Sequence, residues 1–375
     1  MHIVIDAHLA VKKIDGVARY LNGLLSELPK IDSSIQYSIL SLPPEESSLP
    51  EEIFSHPNVR RVELNLMGPS PKQHLLMRKL LKELQADLYH HPQFDLPLGI
   101  RIPTVITIHD LKYLFYPEFL KRQSQLKSFY IKKSLQRSLN IANQIIVVSQ
   151  NTLNDLKKRF SFDQQKVNLI YHGVNHPLEL NSTETDNTID IANDFILIVG
   201  TKRPHKNIEG MIKALAILRQ NYTLDLDLVI SGKTYSDYLE PERLAKELSV
   251  DAHTHFLDHV SDHKLIALYQ SAKVVALVSF YEGFGFPLLE AMSYGTPVIG
   301  SNVTSIPEVI GGAGLLVEPH NPEDIATKIH QIMTDNDLYQ KLSNAGLARA
   351  KQFSWSTVAQ STFDVYIKAL KINDK

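Results

Sequence analysis

The chain has 375 residues, 43% of them hydrophobic and 21% charged, with a net charge of −2 and no cysteine. This composition is typical of a soluble globular protein, and the length predicts two domains at roughly 150 residues per domain. Because cysteine is absent, disulfides, thiolate metal sites and a cysteine nucleophile are excluded.

The first half of the chain alternates short apolar runs with longer amphipathic ones. The predicted strands are His2–Ile5, Gln36–Leu40, Val59–Leu64, Ala86–Tyr89, Thr104–Ile108, Gln144–Val148 and Val167–Tyr171. The clearest helical patterns lie at Val17–Leu28, Lys72–Leu84 and Leu120–Ile141. Strands separated by helices indicate a parallel sheet covered on both faces.

A polar, acidic stretch without apolar periodicity follows and is predicted to be a linker, 179–193. The alternation then restarts, which predicts a first domain over 1–178 and a second over 194–352. The predicted strands of the second are Phe195–Val199, Leu226–Ile230, His255–Leu257, Val274–Val278, Pro297–Gly300 and Gly314–Val317. Its predicted helices include Asn207–Gln220 and Pro241–Leu248. Ligands of such open sheets bind beyond the carboxyl ends of the strands, so we expect a central cleft between two such units.

The most informative stretch is 280–300, FYEGFGFPLLEAMSYGTPVIG. Gly283 and Gly285 precede a predicted helix, Leu288–Tyr294, and Pro287 stands where a helix commonly begins. Glycines at this position let a ligand approach the backbone closely. Free N–H groups and the positive end of the helix favour an anion there.

Two glutamates flank this turn eight positions apart. Glu290 is predicted in the first helical turn, where its carboxylate can accept hydrogen bonds from ribose hydroxyls, and Glu282 lies in the preceding loop. Together with the surrounding EGFGFPLLEAMSYGTPVI, this pattern resembles the retaining glycosyltransferases of the GT-B fold. The nearest likeness is to the large mannosyltransferase-like family, the glycosyl transferases of group 1. The alternative is a purely structural strand–turn–helix whose glutamates face solvent.

The resemblance implies an α/β fold of two doubly wound, Rossmann-like domains facing a central cleft. It makes 1–178 the acceptor-side domain and 194–352 the domain that binds the nucleotide sugar. It also implies that a C-terminal helix, 353–375, crosses back to the first domain. In the family the first glutamate contacts the transferred sugar and the second binds the nucleotide ribose, which assigns a catalytic role to Glu282 and ribose binding to Glu290. The backbone that would touch sugar and diphosphate is that of Gly283, Phe284, Gly285 and Phe286. Relatives also place a loop like that of Thr304, Ser305 and Glu308 near the nucleotide.

The segment Val199–Asn207, VGTKRPHKN, resembles the family's strand–loop–helix that carries a phosphate-binding lysine. That role falls on Lys206, with Thr201 and Arg203 as further donor-binding candidates. Many relatives have arginine where this chain has Thr201, which weakens the case for a clamp of two cations. Arg203 or Lys202 would substitute only in part, since neither stands at the matching position.

In the first half, the sequence DGVARY from Asp15 to Tyr20 resembles the family's glycine-bearing loop, and it places Gly16 opposite the donor diphosphate. His109 and Asp110 follow a strand end. By the same resemblance His109 lies near the donor sugar and Asp110 orients the loop, although a lone histidine after a strand is often structural.

Two further features of the first domain concern histidine and tryptophan. The pair His90–His91 before Pro92 is predicted to end a strand and face the cleft, or only to shape a turn. Trp355, which opens the last helix, is interpreted as a packing residue.

Two metal-like patterns are interpreted as structural. Asp225 and Asp227 have Asp-x-Asp spacing, but they run straight into an apolar strand rather than follow one. His253 and His255 have no cysteine or third ligand at a suitable spacing, so we expect exposed polar residues there. We therefore predict no metal and no cofactor.

These features predict a retaining, metal-independent hexosyltransferase that acts in cell-surface polysaccharide or glycoconjugate synthesis. The donor is a nucleotide sugar, with GDP-mannose favoured and UDP-sugars next, and the acceptor is a glycan or a lipid-linked molecule. The alternatives are a nucleotide-sugar epimerase of the same fold and an inactive sugar-binding partner protein. A Rossmann dehydrogenase is disfavoured because no G-x-G-x-x-G follows the first strand.

Charge is distributed unevenly along the chain. Residues 1–170 hold 22 Lys and Arg against 16 Asp and Glu, a balance of +6, and the remainder carries −8. Within the first half, 119–140 contains six basic residues and no acid, interleaved with apolar ones. Such a surface suits peripheral contact with anionic lipid or a pyrophosphate-linked acceptor, or is only a solvated helix face. With no signal-peptide pattern and no apolar run of ~18 residues, we expect a cytoplasmic protein and no nucleic-acid partner. Peripheral contact would place it at the inner face of the membrane.

Overall fold

The structure, a computed structural model, describes residues 1–11, 16–64, 71–115, 125–175 and 191–371. The chain divides into two compact units, one formed by 1–173 with 353–375 and the other by 174–352. The predicted linker falls mostly outside the described residues, as do Asp15 and the first part of the basic segment. Each unit is a parallel sheet covered by helices, so the predicted fold class is confirmed.

The first unit contains a seven-stranded parallel sheet of order β3-β2-β1-β4-β5-β6-β7. Its strands are β1 (His2–Asp6), β2 (Gln36–Ser41), β3 (Val59–Glu63), β4 (Leu88–His91), β5 (Thr104–Ile108), β6 (Gln144–Val147) and β7 (Val167–Leu169). Its described helices include α1 (Gly16–Glu27), α2 (Pro71–Glu83), α3 (Lys112–Phe115), α4 (Gln125–Ile141) and α5 (Gln150–Arg159). Central strands such as β5 are buried along their whole length, because helices cover both faces of the sheet.

The second unit repeats this plan with a six-stranded parallel sheet of order β10-β9-β8-β11-β12-β13. Its strands are β8 (Phe195–Val199), β9 (Asp227–Ser231), β10 (Thr254–Leu257), β11 (Val274–Leu277), β12 (Val298–Ser301) and β13 (Leu315–Val317). Its helices are α6 (Ile208–Asn221), α7 (Glu240–Glu247), α8 (Asp262–Ser271), α9 (Phe286–Ser293), α10 (Ile306–Ile310), α11 (Pro322–Thr334) and α12 (Asn336–Ala350). The central strand β8, FILIV, is fully buried.

The last helix, α13 (Trp355–Lys371), belongs to the first unit, where it packs on α1 and on the sheet. Trp355 is 8% exposed and acts as a packing residue. A Cβ added at Gly23 would lie 2.0 Å from the indole, and one added at Gly173 would lie 2.6 Å from the Trp355 backbone nitrogen. The two glycines therefore make room for this side chain.

The predicted fourth strand is displaced by two residues along the chain. The strand predicted at Ala86–Tyr89 is observed at Leu88–His91, because Gln85 adopts a positive φ of 50° and delays the strand's start. Leu88 rather than Ala86 then pairs with Ile3 of β1. As a result His90 and His91 are the last two residues of a buried strand, which agrees with the prediction that the pair ends a strand and not with the turn alternative. Their side chains point to opposite faces of the sheet.

Candidate active site in the second unit

The central feature of the second unit is an ion pair between Lys206 and Glu282. Lys206 ends a 3-10 turn, Pro204–Lys206, between β8 and α6, and Glu282 follows β11. Because β8 and β11 are neighbours in a parallel sheet, the loops at their carboxyl ends meet. The Lys206 Nζ lies 2.6 Å from the Glu282 Oε1, and the two side chains are 13% and 14% exposed.

The Glu282 carboxylate is held by more than the lysine. The Ser279 hydroxyl donates to the same Oε1 at 2.7 Å, and the Glu282 backbone N–H donates to the Thr304 hydroxyl at 3.2 Å. Burial alone would raise the pKa of Glu282, but Lys206 and His205 outweigh it and lower the pKa below its ordinary value. The group is therefore an ionised carboxylate at neutral pH.

The glycine loop after Glu282 is braced from behind by Ser305. Its hydroxyl lies 3.0 Å from the Glu282 carbonyl oxygen and 2.9 Å from that of Phe284. Gly285 has a φ of +117°, a conformation that favours glycine, and directly precedes α9. These contacts fix the backbone of 282–285 at the start of the helix.

The observed helix begins earlier than predicted. α9 starts at Phe286 and ends at Ser293, with Pro287 in its first turn. Glu290 is therefore the fifth residue of the helix and lies just beyond the first turn, which corrects its predicted position. The shift arises because the positive φ of Gly285 lets the helix start directly after it.

Glu290 is positioned by a tyrosine that sequence analysis missed. The Tyr269 hydroxyl, on α8, donates to the Glu290 Oε2 at 2.6 Å. The Tyr269 ring is buried and stacks on Tyr294, with centroids 6.0 Å apart. No local pattern points to this contact, because the two residues lie on different helices.

Two glycines at neighbouring strand ends shape the space around Lys206. Gly200 and Gly232 follow β8 and β9 with φ of +147° and +146°. A Cβ added at Gly232 would lie 2.0 Å from the Gly200 carbonyl oxygen, and one added at Gly200 would lie 3.3 Å from Lys206 Cε. Gly232 was not predicted as a site residue, although its position directly after an apolar strand could have indicated one. Thr201 lies half-buried directly after Gly200.

The two cations that follow the predicted clamp position, Thr201, contact other groups. Lys202 is 2% exposed; its Nζ donates to the Thr234 hydroxyl at 2.7 Å and lies 5.0 Å from the Phe256 ring centroid. Arg203 stacks on Tyr235 at 3.4 Å and lies 3.4 Å from Asp237. The structure thus directs both side chains toward 234–237 and β10.

The predicted first-unit residues lie at strand and helix ends. Gly16 is the first residue of α1, and His109 is half-buried directly after β5. The His109 ring makes an edge contact with Tyr20 at 5.0 Å and stacks on His172 at 5.5 Å. Burial lowers the pKa of His172 well below its ordinary value, so this neighbour is neutral.

Asp110 and His90 have structural roles in the first unit. Asp110 accepts from the Lys112 backbone N–H at 3.2 Å and pairs with the Lys112 Nζ at 3.1 Å, which fixes the loop after His109. His90 bonds the Tyr366 hydroxyl at 2.7 Å and the Thr107 hydroxyl at 2.8 Å, and burial lowers its pKa to about 3.

The two metal-like patterns form hydrogen-bonded structure. Asp225 pairs with Arg219 at 2.8 Å, whereas Asp227 is buried at the start of β9. The expectation of exposed histidines is wrong: His253 and His255 are each half-buried and bond different oxygens of Asp227, at 3.0 and 2.7 Å. The pairing of β9 with β10 causes this contact. Within the described residues no group of three or more His, Asp and Glu is arranged to hold a metal ion.

Comparisons with known proteins agree with this architecture. A family model of the "Glycosyl transferases group 1" matches 183–349, and one of "Glycosyltransferase Family 4" matches 14–177. "O-antigen chain mannosyltransferase B" of Escherichia coli is 31% identical over 76% of this chain and 75% of its own length. "Serotype-specific mannosyltransferase WbdA" of Escherichia coli is 29% identical over 72% of this chain, which spans 34% of that longer protein.

A solved structure shows the same fold. Anabaena Alr3699/HepE in complex with UDP and glucose matches with a TM-score of 0.75 and 20% identity, over 97% of this chain and 98% of the other. The two parallel α/β units have the GT-B fold, and the family models with the 31% identical relative identify a glycosyltransferase. The chain belongs to the glycosyl transferases group 1 family, which confirms the resemblance noted in its sequence.

Proposed function

We propose that this protein is a retaining, metal-independent hexosyltransferase that transfers mannose from GDP-mannose to a glycan or lipid-linked acceptor in cell-surface polysaccharide synthesis. The observation that carries the proposal is the largely buried Lys206–Glu282 pair beside the glycine loop. The name of the Escherichia coli O-antigen chain mannosyltransferase B supports mannose as the sugar and a polysaccharide as the product. A UDP-hexose is the second candidate donor, supported by the UDP and glucose bound to the Anabaena protein.

The chemistry requires stabilisation of a leaving diphosphate. The bond between the sugar C1 and the diphosphate oxygen breaks, and the acceptor oxygen bonds C1 on the same face. The acceptor proton passes to the departing phosphate oxygen. In this proposal the Lys206 ammonium and the N–H groups of 283–286 stabilise the developing negative charge, each donor being worth about 3 kcal/mol at the transition state. Glu282 lies against the sugar and stabilises the positive charge that develops at C1.

The donor and the stereochemistry are tested together. We expect GDP-mannose to raise the melting temperature more than UDP-glucose, UDP-galactose or GDP alone. Proton NMR of the product should show an α-linked mannoside formed from the α-configured donor. A β-linked product would refute retention, and a rearranged nucleotide sugar formed without any acceptor would favour an epimerase.

The role of Lys206 is tested against a matched lysine. Lys206→Ala should lower kcat by about 10²-fold or more, because a transition-state donor is lost. Lys213→Ala, on the exposed face of α6, should leave kcat unchanged. Equal rates for both variants would remove Lys206 from the mechanism.

Metal independence has its own assay. With Lys206 and backbone N–H groups serving the diphosphate, we expect full transfer activity in excess EDTA after prior dialysis. Loss of activity that is restored by Mg²⁺ or Mn²⁺ would contradict this part of the proposal alone.

We further propose peripheral membrane contact at the cytoplasmic face through α4. No described helix combines the length and apolarity needed to span a bilayer. On α4, Phe129 and Tyr130 are 61% and 46% exposed beside the exposed Lys132 and Lys133. Aromatic rings next to lysines suit the interface of an anionic bilayer.

Vesicle sedimentation tests this contact. The protein should pellet with phosphatidylglycerol-containing vesicles and not with phosphatidylcholine alone, and a double Phe129→Ser, Tyr130→Ser variant should stay in the supernatant. Ile141→Ser, at the other exposed end of α4, is the matched control and should still pellet. Wild-type protein that stays in the supernatant with both lipids would refute the contact.

A further inference from the structure

The C-terminal end of the short helix α10 is held by an arginine that the proposed mechanism does not use. Arg349, on α12, donates from its Nη2 to the Glu308 carbonyl oxygen at 2.6 Å and from its Nε to the Val309 carbonyl oxygen at 3.1 Å. A Cβ added at Gly311, which ends the helix with a φ of +56°, would lie 2.7 Å from the Arg349 Cζ. The guanidinium therefore fills the space beside Gly311 and is fixed there by two main-chain acceptors.

The length of α10 explains why such a contact matters. The helix has only five residues, and the last four carbonyl groups of any α-helix have no partner within it. A single turn of this kind is not stable by its own hydrogen bonds and depends on its surroundings. Burial of Ile306, Val309 and Ile310 holds one face of α10, and Arg349 binds the carbonyl groups at its end.

The other end of α10 fixes the glycine loop that follows Glu282. The fully buried Ser305 directly precedes the helix, and its hydroxyl binds the carbonyl oxygens of Glu282 and Phe284 at 3.0 and 2.9 Å. The Thr304 hydroxyl accepts from the Glu282 backbone N–H at 3.2 Å. Thr304 has a φ of +58°, which is unfavourable for a β-branched residue and persists only where the surrounding structure holds it. The placement of both hydroxyls therefore depends on how firmly α10 is held.

The helix that carries Arg349 also supports the glycine loop from its other side. α12 packs on α9, the helix that begins directly after the loop. A Cβ added at Gly346 of α12 would lie 3.2 Å from the Met292 Cγ of α9, so the missing side chain lets the two helices approach closely. α12 thus contacts both elements that hold the loop, α9 by close packing and α10 through Arg349.

We propose that Arg349 is a positioning residue for sugar transfer, which sets the glycine loop through α10. This inference rests on the proposed function and adds to it a residue that does not touch the donor. The contacts run from the guanidinium to the carbonyl groups at the end of α10, and from Thr304 and Ser305 at its beginning to the main chain of 282–284. When the guanidinium is removed, α10 shifts and the N–H groups of 283–286 are no longer aligned with the diphosphate.

Selective labelling reports on the loop without any donor or acceptor. Phe284–Gly285 is the only Phe–Gly step in the sequence and Ser231–Gly232 the only Ser–Gly step, so pairing a ¹³C-carbonyl label with ¹⁵N-glycine gives one assigned amide signal for each. In the full-length protein, Arg349→Met should shift the Gly285 signal and leave that of Gly232, beside β9, in place. An unchanged Gly285 signal would refute the proposal.

A matched variant on the same helix controls for lost stability. Leu342→Ala removes a buried side chain of α12 that belongs to the core around α6 and α11. It should destabilise the second unit without moving the Gly285 signal, and circular dichroism confirms that both variants are folded. A Gly285 shift as large as that of Arg349→Met would mean that any loss of packing on α12 disturbs the loop, which would also refute a specific role for the arginine.

Turnover of GDP-mannose, measured as GDP release, separates positioning from general destabilisation. Arg349→Met should lower kcat about tenfold and keep the Kd for GDP within about threefold of wild type, because the loop N–H groups act mainly on charge that develops in the transition state. Leu342→Ala should keep the wild-type kcat below its melting temperature. If kcat is unchanged in Arg349→Met, or is lowered equally in both variants, Arg349 is not a positioning residue.

Two further variants test the route through α10. In the Ser305→Ala background, Arg349→Met should lower kcat by less than about a further twofold, because both changes interrupt one path. Gly311→Ala keeps the arginine but places a Cβ where its guanidinium lies. It should reproduce the lowered kcat and the Gly285 shift, and it replaces Arg349→Met if that variant does not fold. A full tenfold loss in the double variant, or a wild-type loop signal in Gly311→Ala, would refute this route.

The two proposals fail in distinguishable ways. If the wild type does not turn over GDP-mannose, the proposed donor is wrong, and the Gly285 signal still decides whether Arg349 sets the loop. If the wild type turns it over and neither kcat nor the Gly285 signal responds to Arg349→Met, the transfer function stands and the positioning role is refuted.

Discussion

Lys206→Met removes the charge of the Lys206–Glu282 pair and keeps most of the side-chain volume. Glu282 then retains the Ser279 hydroxyl as a partner for its carboxylate. Removing one partner of a buried ion pair costs about 3–5 kcal/mol. Because Glu282 is 14% exposed and keeps that hydrogen bond, we expect a loss of about 2–3 kcal/mol in the free energy of unfolding at pH 7.5.

The pH dependence gives the sign of the effect. In the wild type the pKa of Glu282 lies below its unfolded value. The stability that this provides is present at neutral pH and is lost as the pH falls through the folded-state pKa. In Lys206→Met, burial without the lysine raises the pKa of Glu282. Glu282 is then protonated at low pH, which removes the cost of burying its unpaired charge. The difference between the two proteins should therefore fall to roughly half at pH 4.5.

Urea unfolding followed by circular dichroism at pH 7.5 and pH 4.5 measures this difference. The double variant Lys206→Met, Glu282→Gln should regain most of the lost stability at pH 7.5, because no unpaired charge stays buried, yet it should not transfer sugar. An equal loss at both pH values, or a double variant no more stable than Lys206→Met, would refute the reasoning.

Three further substitutions test other contacts. Tyr269→Phe removes the hydroxyl that holds Glu290 and should weaken GDP binding about fivefold in isothermal titration calorimetry; an unchanged Kd would contradict this. Gly232→Ala should lower the free energy of unfolding by about 2–3 kcal/mol in urea titration, because the new Cβ would lie 2.0 Å from the Gly200 oxygen at a φ of +146°. A loss below about 0.5 kcal/mol would argue against this packing. Trp355→Ala should lower the free energy of unfolding by about 3–5 kcal/mol in the same urea titration, because it leaves a cavity. An unchanged free energy of unfolding would contradict the packing role of this side chain.

The sequence predicted the strands well where they are apolar and flanked by turns. Thr104–Ile108 and Phe195–Val199 were located without error, because buried parallel strands are continuous apolar runs. The strand at Leu88–His91 was misplaced because its second half is two histidines. Polar residues in a central strand carry no periodic signal, and only tertiary hydrogen bonds explain their burial.

For the candidate site, residues within one local motif could be predicted and long-range partners could not. The Lys206–Glu282 contact joins residues that are 76 positions apart. The sequence assigned both residues to one ligand site but did not predict that they pair with each other. The sequence likewise did not predict the contact of Tyr269 with Glu290, or those of Asp6 with Tyr89 and His91. Their contacts depend on which strands and helices become neighbours, and a single sequence leaves that undetermined.

The packing of Trp355 between Gly23 and Gly173 also affects the order in which the two units can fold during synthesis. The second unit is one continuous stretch, whereas the first is interrupted and receives the helix Trp355–Lys371 only after all of the second unit, 174–352, has been made. On the ribosome, the second unit can therefore close while the first still lacks its covering helix. A premature stop shortly before Trp355 would leave the later unit whole and strip the earlier one of the indole that fills its glycine-lined gap.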